Sequence, residues 1–373
     1  MTDRPPLTIG IEEEYLVVDQ ETRELVTAPD PGFVAACTDA LGEQVTGEYL
    51  QCQIEVGTRP HRAVGDAVRE LRGLRDGVRD VAQRFGYAPI AASTHPFSRW
   101  RDQHRTEKER YEGLERDMGR VVGRLLICGM HIHIGIDDED LCIDLMNQVT
   151  YFLPHLLALS CSSPFWEGED TGLSSYRLTV FDALPRTGLP DTMNSHTEYR
   201  RMIDRLVDAG CIEDGTKIWW DIRPSDKFPT VEQRVTDICS RIEDAAAIAA
   251  LFQSLMAALY RLKCRNQRWR LYPRTLIMEN RWQAQRFGTH GRLVDLGRGQ
   301  MCALPDLVEE LIEFVRPDAE SLGCLTEVLH ARRIAAEGDS ATRQRRVFDA
   351  ACTAGGDRQD ALRQVVDHLI AEF

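Results

Sequence analysis

The chain has 373 residues, 43% hydrophobic and 28% charged, the balance of an ordinary globular protein of one to three domains. Its formal net charge of -14 argues against nucleic acid or an anionic membrane as the main partner. Only Lys108, Lys217, Lys227 and Lys263 stand among 45 basic residues, and none follows a glycine, which excludes a GxxxxGK[ST] loop and leaves phosphate binding to arginine, metal or backbone.

Eleven cysteines occur without a single CxxC, which removes zinc ribbons, redox dithiols and iron-sulfur runs. Their odd count and the lack of a signal peptide predict reduced thiols and a cytoplasmic location. No apolar run approaches membrane-spanning length, and there is no internal repeat.

The first element in chain order is a strand over residues 8–18, rich in β-branched and aromatic side chains yet carrying three carboxylates at its centre. Alternation puts Ile9, Ile11, Tyr15 and Val17 on a core face and Gly10, Glu12, Glu14 and Leu16 on the other. Glu12 and Glu14 then lie about 7 Å apart on one side. Two such charges repel unless a cation joins them, so the pair suggests a divalent-metal platform; a solvated edge strand is the alternative.

A turn at residues 19–22 and a short helix over 31–41 lead to a second half-polar strand over 48–56, with Gln51, Gln53 and Glu55 on one face. Glu48 and Glu55 are an odd number of residues apart, so either a bulge intervenes or Glu48 precedes the strand. Residues 63–85 have helical periodicity, 88–93 read as a short strand, 94–97 as a loop and 106–122 as a helix. A third polar strand follows over 125–135, where His131 and His133 share a face. An HxH pair in a strand is a metal signal of moderate specificity, competing with plain hydrogen-bonding histidines. Glutamate oxygens with at most one imidazole suit magnesium or manganese better than zinc.

Residues 141–161 are apolar with helical spacing. The stretch from Ser163 to Arg177 is long, rich in glycine and aromatics, and reads as a lid; Arg177 suits an anionic substrate group, or a surface ion pair. After a helix over 198–208 come strands over 217–224 and 230–237; Glu232 and Arg234 share one face of the latter, fit for a metal and a phosphate, or simply for a cross-strand salt bridge. A long helix over 238–270 follows, then the arginine-rich segment 278–288 at the expected mouth of the site, and packing helices from about residue 305 onward.

Taken together, the chain resembles the type 2 glutamate-cysteine ligases, in their bacterial carboxylate-amine ligase branch. The specific pieces are Gly10-Ile11-Glu12-Glu13-Glu14-Tyr15, Gly129-Met130-His131-Ile132-His133, the 163–177 loop, Trp220-Asp221-Ile222-Arg223-Pro224 with residues 230–237, and Asn280-Arg281-Trp282 through Gly288. That resemblance implies an α+β, glutamine synthetase-like fold: a largely antiparallel sheet with the active site on one face and helices on the other. It also implies one catalytic domain over 1–373, with a sheet core at about 5–290 and C-terminal packing helices at about 300–373. It implies that Glu12, Glu14, Glu48, Glu55, His131 and Glu232 bind the magnesium (or manganese) ions of ATP. Arg177 and Arg234 fall in catalytic positions, and with Arg223 and Arg286 near phosphates or the substrate carboxylate.

The activity implied is ATP-dependent ligation of small amino-acid substrates, in which a carboxylate is activated as an acyl phosphate and displaced by an amine, in a homodimer without nucleic-acid or membrane partners. Three other readings stay open on the residues alone: a guanidino-kinase-like phosphotransferase, a zinc-dependent hydrolase using His131 and His133, and a non-catalytic amino-acid or nucleotide sensor.

Overall fold

Strand β1 (Ile9–Asp19) runs through the middle of the molecule because the alternate side chains Ile9, Ile11, Tyr15 and Val17 are wholly buried on one side of it. The computed structural model describes residues 5–107, 113, 116 and 118–373. β1 pairs antiparallel with β3 (Gln53–Gly57), β4 (Tyr87–Ile90) and β5 (Met130–Gly135). With β2 (Val45–Gly47), β10 (Ile222–Pro224) and β11 (Thr230–Gln233) they form a seven-stranded sheet, ordered β10-β11-β5-β1-β3-β2 with β4 also on β1. Every pairing in it is antiparallel, so the expected α+β class with a largely antiparallel sheet is what the chain adopts. Small two-stranded ribbons stand apart: β6 (Phe165–Trp166) with β7 (Glu169–Asp170), β8 (Thr187–Gly188) with β9 (Trp219–Trp220), and β12 (Arg292–Asp295) with β13 (Gln300–Ala303).

Helices Val64–Arg84 and Ile242–Cys264 pack behind the sheet, and Leu304–Leu322 and Leu325–Glu337 pack on the second of these. The expectation that no apolar run approaches membrane-spanning length needs correction: Ile242–Cys264 is long and apolar enough to do so. Its most apolar window is 83% buried inside the protein, as befits a core helix wrapped by other helices. Glu13 also points into this layer. Arg75 grips it through two nitrogens at 2.8 and 2.7 Å, Tyr15 donates to it at 2.7 Å, and two further guanidinium N–H groups go to the carbonyls of Cys239 and Ser240. The C-terminal Phe373 closes over this pair, its ring 4.8 Å from that of Tyr15.

Several boundaries differ from the periodicity reading. The strand expected over 48–56 is a hairpin, β2 and β3, closed by Gln53 N–H on the Leu50 carbonyl, and Glu48 lies in its loop ahead of β3. The strand expected over 125–135 begins only at Met130, since Gly119–Arg124 is a 3-10 helix and Cys128 is drawn off to the Ser93 carbonyl. Of the helix expected over 106–122, residues 108–112, 114, 115 and 117 lie outside the described residues, and 119–122 belong to that 3-10 helix. The run 217–224 breaks at Asp221, where the chain leaves the β8 ribbon and joins β11. Apolar residues 141–161 form two helices, Glu139–Val149 and Leu153–Ser160, the second with Pro154 in its first turn, where the missing N–H costs nothing. Residues 278–287 belong to helix Arg274–Phe287, which Gly288 caps.

Candidate active site

Residues directly opposite in an antiparallel pair share a face, so the register states which side chains meet in front of the sheet. One row across it reads Gly10, His133, Glu232, Arg223; the next sets Glu12 between His131 and Gly57; a third sets Glu55 between Glu14 and Thr46. Four strands thus deliver five of the six carboxylate and imidazole positions expected at a metal site onto one face, with Glu48 reaching it from the β2–β3 loop.

The two histidines divide the Glu12 carboxylate between them: His131 Nδ1 is 3.5 Å from Oε2, and His133 Nε2 is 3.5 Å from Oε1. Burial disfavours charge on Glu12, yet both imidazoles act against it and hold the group well below the usual carboxylate range. Donor atoms of Glu12, His131 and Glu232 all lie within 4.8 Å of one another. A hard divalent ion with oxygen or nitrogen donors at about 2.1 Å needs separations of roughly 3 to 4 Å, so a small contraction would let the three hold one. Glu232 is buried and carries two cations of its own: Arg223 Nε at 2.8 Å, and Arg234 NH1 on the other oxygen. Against burial, Arg234 and then Arg223 keep its pKa well below normal.

Toward β2 the face turns acidic. Burial and the neighbouring Glu48 push Glu14 up to about 7, with Arg177 pulling the other way, while Gly129 N–H donates to Glu14 at 2.7 Å. Burial and then Glu48, Glu12 and Glu14 raise Glu55 well above its ordinary value. Such mutual repulsion is what an added cation would relieve. In front of these groups opens a pocket of about 530 Å³, bounded by Glu12, Glu55, Gln44, Thr46, Thr58 and Arg59 among others.

Arg177 is buried beside the acidic end. Its guanidinium donates to the carbonyls of Arg234 at 3.2 Å and Val235 at 3.4 Å, and its Nε has no hydrogen-bond partner among the described residues. A Cβ on Gly129 would run into its guanidinium, so glycine leaves the room that Arg177 occupies and a larger residue would push it aside. Arg234 Nε likewise has no hydrogen-bond partner among the described residues. Arg286 is engaged elsewhere, donating to the Gly172 carbonyl and covering the Phe287 ring.

The stretch 163–177 is tied down at both levels. Inside, Asp237 accepts from Ser162 N–H at 2.9 Å and from the hydroxyls of Ser163 at 2.7 Å and Ser175 at 2.8 Å. Outside, Asp170 pairs with Arg345 and Glu169 with Arg358, so neither acidic residue pairs with Arg177. Sequence reasoning missed Asp237 as this anchor, and missed Thr230, which meets the His133 ring. Neither carries a local signal, since their partners lie 62 to 97 residues away.

A family model described as glutamate-cysteine ligase family 2 matches residues 8–368. A relative from Rhodospirillum rubrum, provisionally named a glutamate-cysteine ligase 2, is 55% identical over 372 residues, covering 99% of this chain and 96% of its own. A protein from Jannaschia sp. with the same provisional name is 55% identical over 366 residues, covering 98% and 96%. Among solved structures, a bifunctional glutathione synthetase from Pasteurella multocida superposes with a TM-score of 0.70 at 14% identity, over 98% of this chain and 52% of that one. A glutamate-cysteine ligase from Francisella tularensis in complex with AMP gives 0.66 at 15% identity, over 98% and 89%. At these identities the two structures speak for the fold.

Proposed function

The chain belongs to glutamate-cysteine ligase family 2 and is an ATP-dependent carboxylate-amine ligase, and we propose that the acid it activates is glutamate, at its γ-carboxylate, for attack by the amine of cysteine or a similar amino acid. One observation supports the site assignment above all: Glu12, His131 and Glu232 converge from three strands beside two arginines. In this reading Glu12, His131 and Glu232 hold a magnesium or manganese ion, and Glu14, Glu48 and Glu55 take part in holding a further one. When bound, the ions neutralise phosphate charge, which lets a nucleotide approach an acidic protein.

The protein's own groups position the reactants. Arg234 and Arg223 exchange part of their hold on Glu232 for phosphate oxygens, and Arg177 holds the transferring phosphate or substrate carboxylate; Arg286 steadies the loop that carries Arg177. The substrate carboxylate oxygen attacks the γ-phosphorus and ADP leaves; the amine nitrogen then attacks the acyl carbon, phosphate leaves and the nitrogen loses its proton. Little covalent help is needed, because positioning and charge neutralisation carry phosphoryl transfer. The reading also takes the chain as one catalytic unit, working as a homodimer in the cytoplasm; eleven unpaired cysteines agree with a reducing compartment.

The test is an ADP-release screen across pairs of amino acids with mass detection of the product, run beside glutamate, ATP and hydroxylamine without an amine substrate. A γ-glutamyl hydroxamate is expected. Turnover with other acids and no hydroxamate from glutamate would overturn the substrate assignment.

A further inference from the structure

The second histidine of β5 is held by contacts that the reading above leaves unused. His133 Nδ1 lies 3.1 Å from Thr230 Oγ1, and the ring of Phe228 meets the imidazole edge-on, at 6.5 Å between centroids and 87° between planes. The far nitrogen, Nε2, is buried, makes no hydrogen bond among the described residues, and points at Glu12 Oε1 from 3.5 Å. His131 stands at the same distance from the other oxygen, Oε2, and only His131 joins Glu12 and Glu232 in the group compact enough to hold an ion.

We propose that His133 is a positioning residue for Glu12, donating from Nε2 to Oε1 and so reserving Oε2 for the ion. The inference rests on the reading that Glu12, His131 and Glu232 hold a divalent cation. The tautomer follows from the neighbours. Nε2 faces a carboxylate that can only accept, which places the ring proton there, and in the neutral ring Nδ1 is then left to accept from the Thr230 hydroxyl. Phe228, itself more than half exposed, stands edge-on to the ring. A carboxylate with one oxygen tied has lost its freedom to turn before the ion arrives, which is how groups behind a ligand raise metal affinity.

The experiment titrates Mn²⁺ into the full chain without ATP or amino acids, reading free Mn²⁺ by electron paramagnetic resonance and folding by circular dichroism. His133→Ala should weaken Mn²⁺ binding by about 10- to 100-fold with the number of bound ions unchanged. His133→Gln, whose amide can donate to Glu12, should recover most of that. Thr230→Val should weaken binding in the same direction and Thr230→Ser should not. Unchanged affinity in His133→Ala would make the residue merely structural, and loss of one bound ion would make it a ligand; either overturns the proposal. Should His133→Ala not fold, His133→Gln binding no better than Thr230→Val would overturn it as well. Wild-type protein that binds no Mn²⁺ would instead sink the cation reading beneath it, an outcome distinct from both.

Discussion

Glu12 and Glu13 are consecutive residues on opposite faces of one strand: Glu12 lies 3.5 Å from each of two imidazoles at the open face, and Glu13 is clasped at 2.7 and 2.8 Å by Arg75 in the core. The same substitution should therefore have opposite consequences. Glu12→Gln keeps the shape and removes a charge from the cation site, so ATP turnover should fall by orders of magnitude while the unfolding midpoint stays near wild type. Glu13→Gln leaves Arg75 buried with an uncompensated charge, a loss of about 3 to 5 kcal/mol of stability by the usual cost of breaking a buried pair. Denaturant unfolding and ADP release per folded molecule check the pair, and equal behaviour would refute the assigned faces.

Gly129 and Arg177 form a second testable pair, because a Cβ at 129 would run into the guanidinium. Gly129→Ala should displace Arg177 without altering it, and should copy the kinetic signature of Arg177→Ala: less ligated product and a larger share of ATP hydrolysed to no purpose. Arg177→Lys should recover only part, since an ammonium cannot reproduce the planar fork. The ratio of product to ADP measures this. A normal ratio in Gly129→Ala, with lowered stability alone, would remove Arg177 from the chemistry.

Buried histidines with depressed pKa values weaken the fold in acid. His95 accepts at Nδ1 from Phe97 and Ser98 N–H groups and donates from Nε2 to the Arg23 carbonyl, and burial pulls its pKa from 6.5 down to about 3. The unfolded chain thus binds the proton more readily, so this contribution to stability is complete above pH 6.5 and is lost as pH falls toward 3. At pH 5 the loss from this one group is about 2 kcal/mol. His131 and His155, both lowered to about 4, add in the same direction. Glu14, Glu55 and His133, whose pKa values are raised, oppose this over the same range, so the readout is a difference: from pH 7 to 5 wild type should lose more stability in denaturant, or gain less, than His95→Asn, which is less stable at pH 7. An equal slope in both would assign the acid response to other groups.

Most of the metal-facing set was legible because strand alternation is local: the parity of Glu12, Glu14, His131 and His133 needs only a few neighbouring residues to read. What remained hidden depended on distant partners. Glu13 falls on the core face by the same alternation, but nothing near it points to Arg75, 62 residues on. Glu48 could be a bulge or a pre-strand residue until the hairpin closure at Leu50 and Gln53 decided it. The 163–177 loop reads as mobile from its glycines and aromatics, whereas its restraint comes from Asp237, Arg345 and Arg358, far along the chain.

That restraint yields the last prediction. A loop held only by its surface pairs, Asp170 with Arg345 and Glu169 with Arg358, would be a lid with a weak latch, since exposed pairs contribute about 0 to 1 kcal/mol. Asp237 is different: it is wholly buried and takes two hydrogen bonds from the loop and a third from Ser162 just before it, and Ser163, one of the donors, also accepts from the backbone N–H of Arg177. Asp237→Asn preserves volume but offers one acceptor oxygen in place of two, so at least one serine loses its partner and the backbone of Arg177 loosens with it. Water is the competing nucleophile for an acyl phosphate, so Asp237→Asn should raise wasted ATP hydrolysis, whereas Arg345→Ala and Arg358→Ala should leave the product-to-ADP ratio near wild type. If the surface variants uncouple the reaction and Asp237→Asn does not, the loop works as a hinged lid, and its anchor to the sheet is irrelevant to keeping water out.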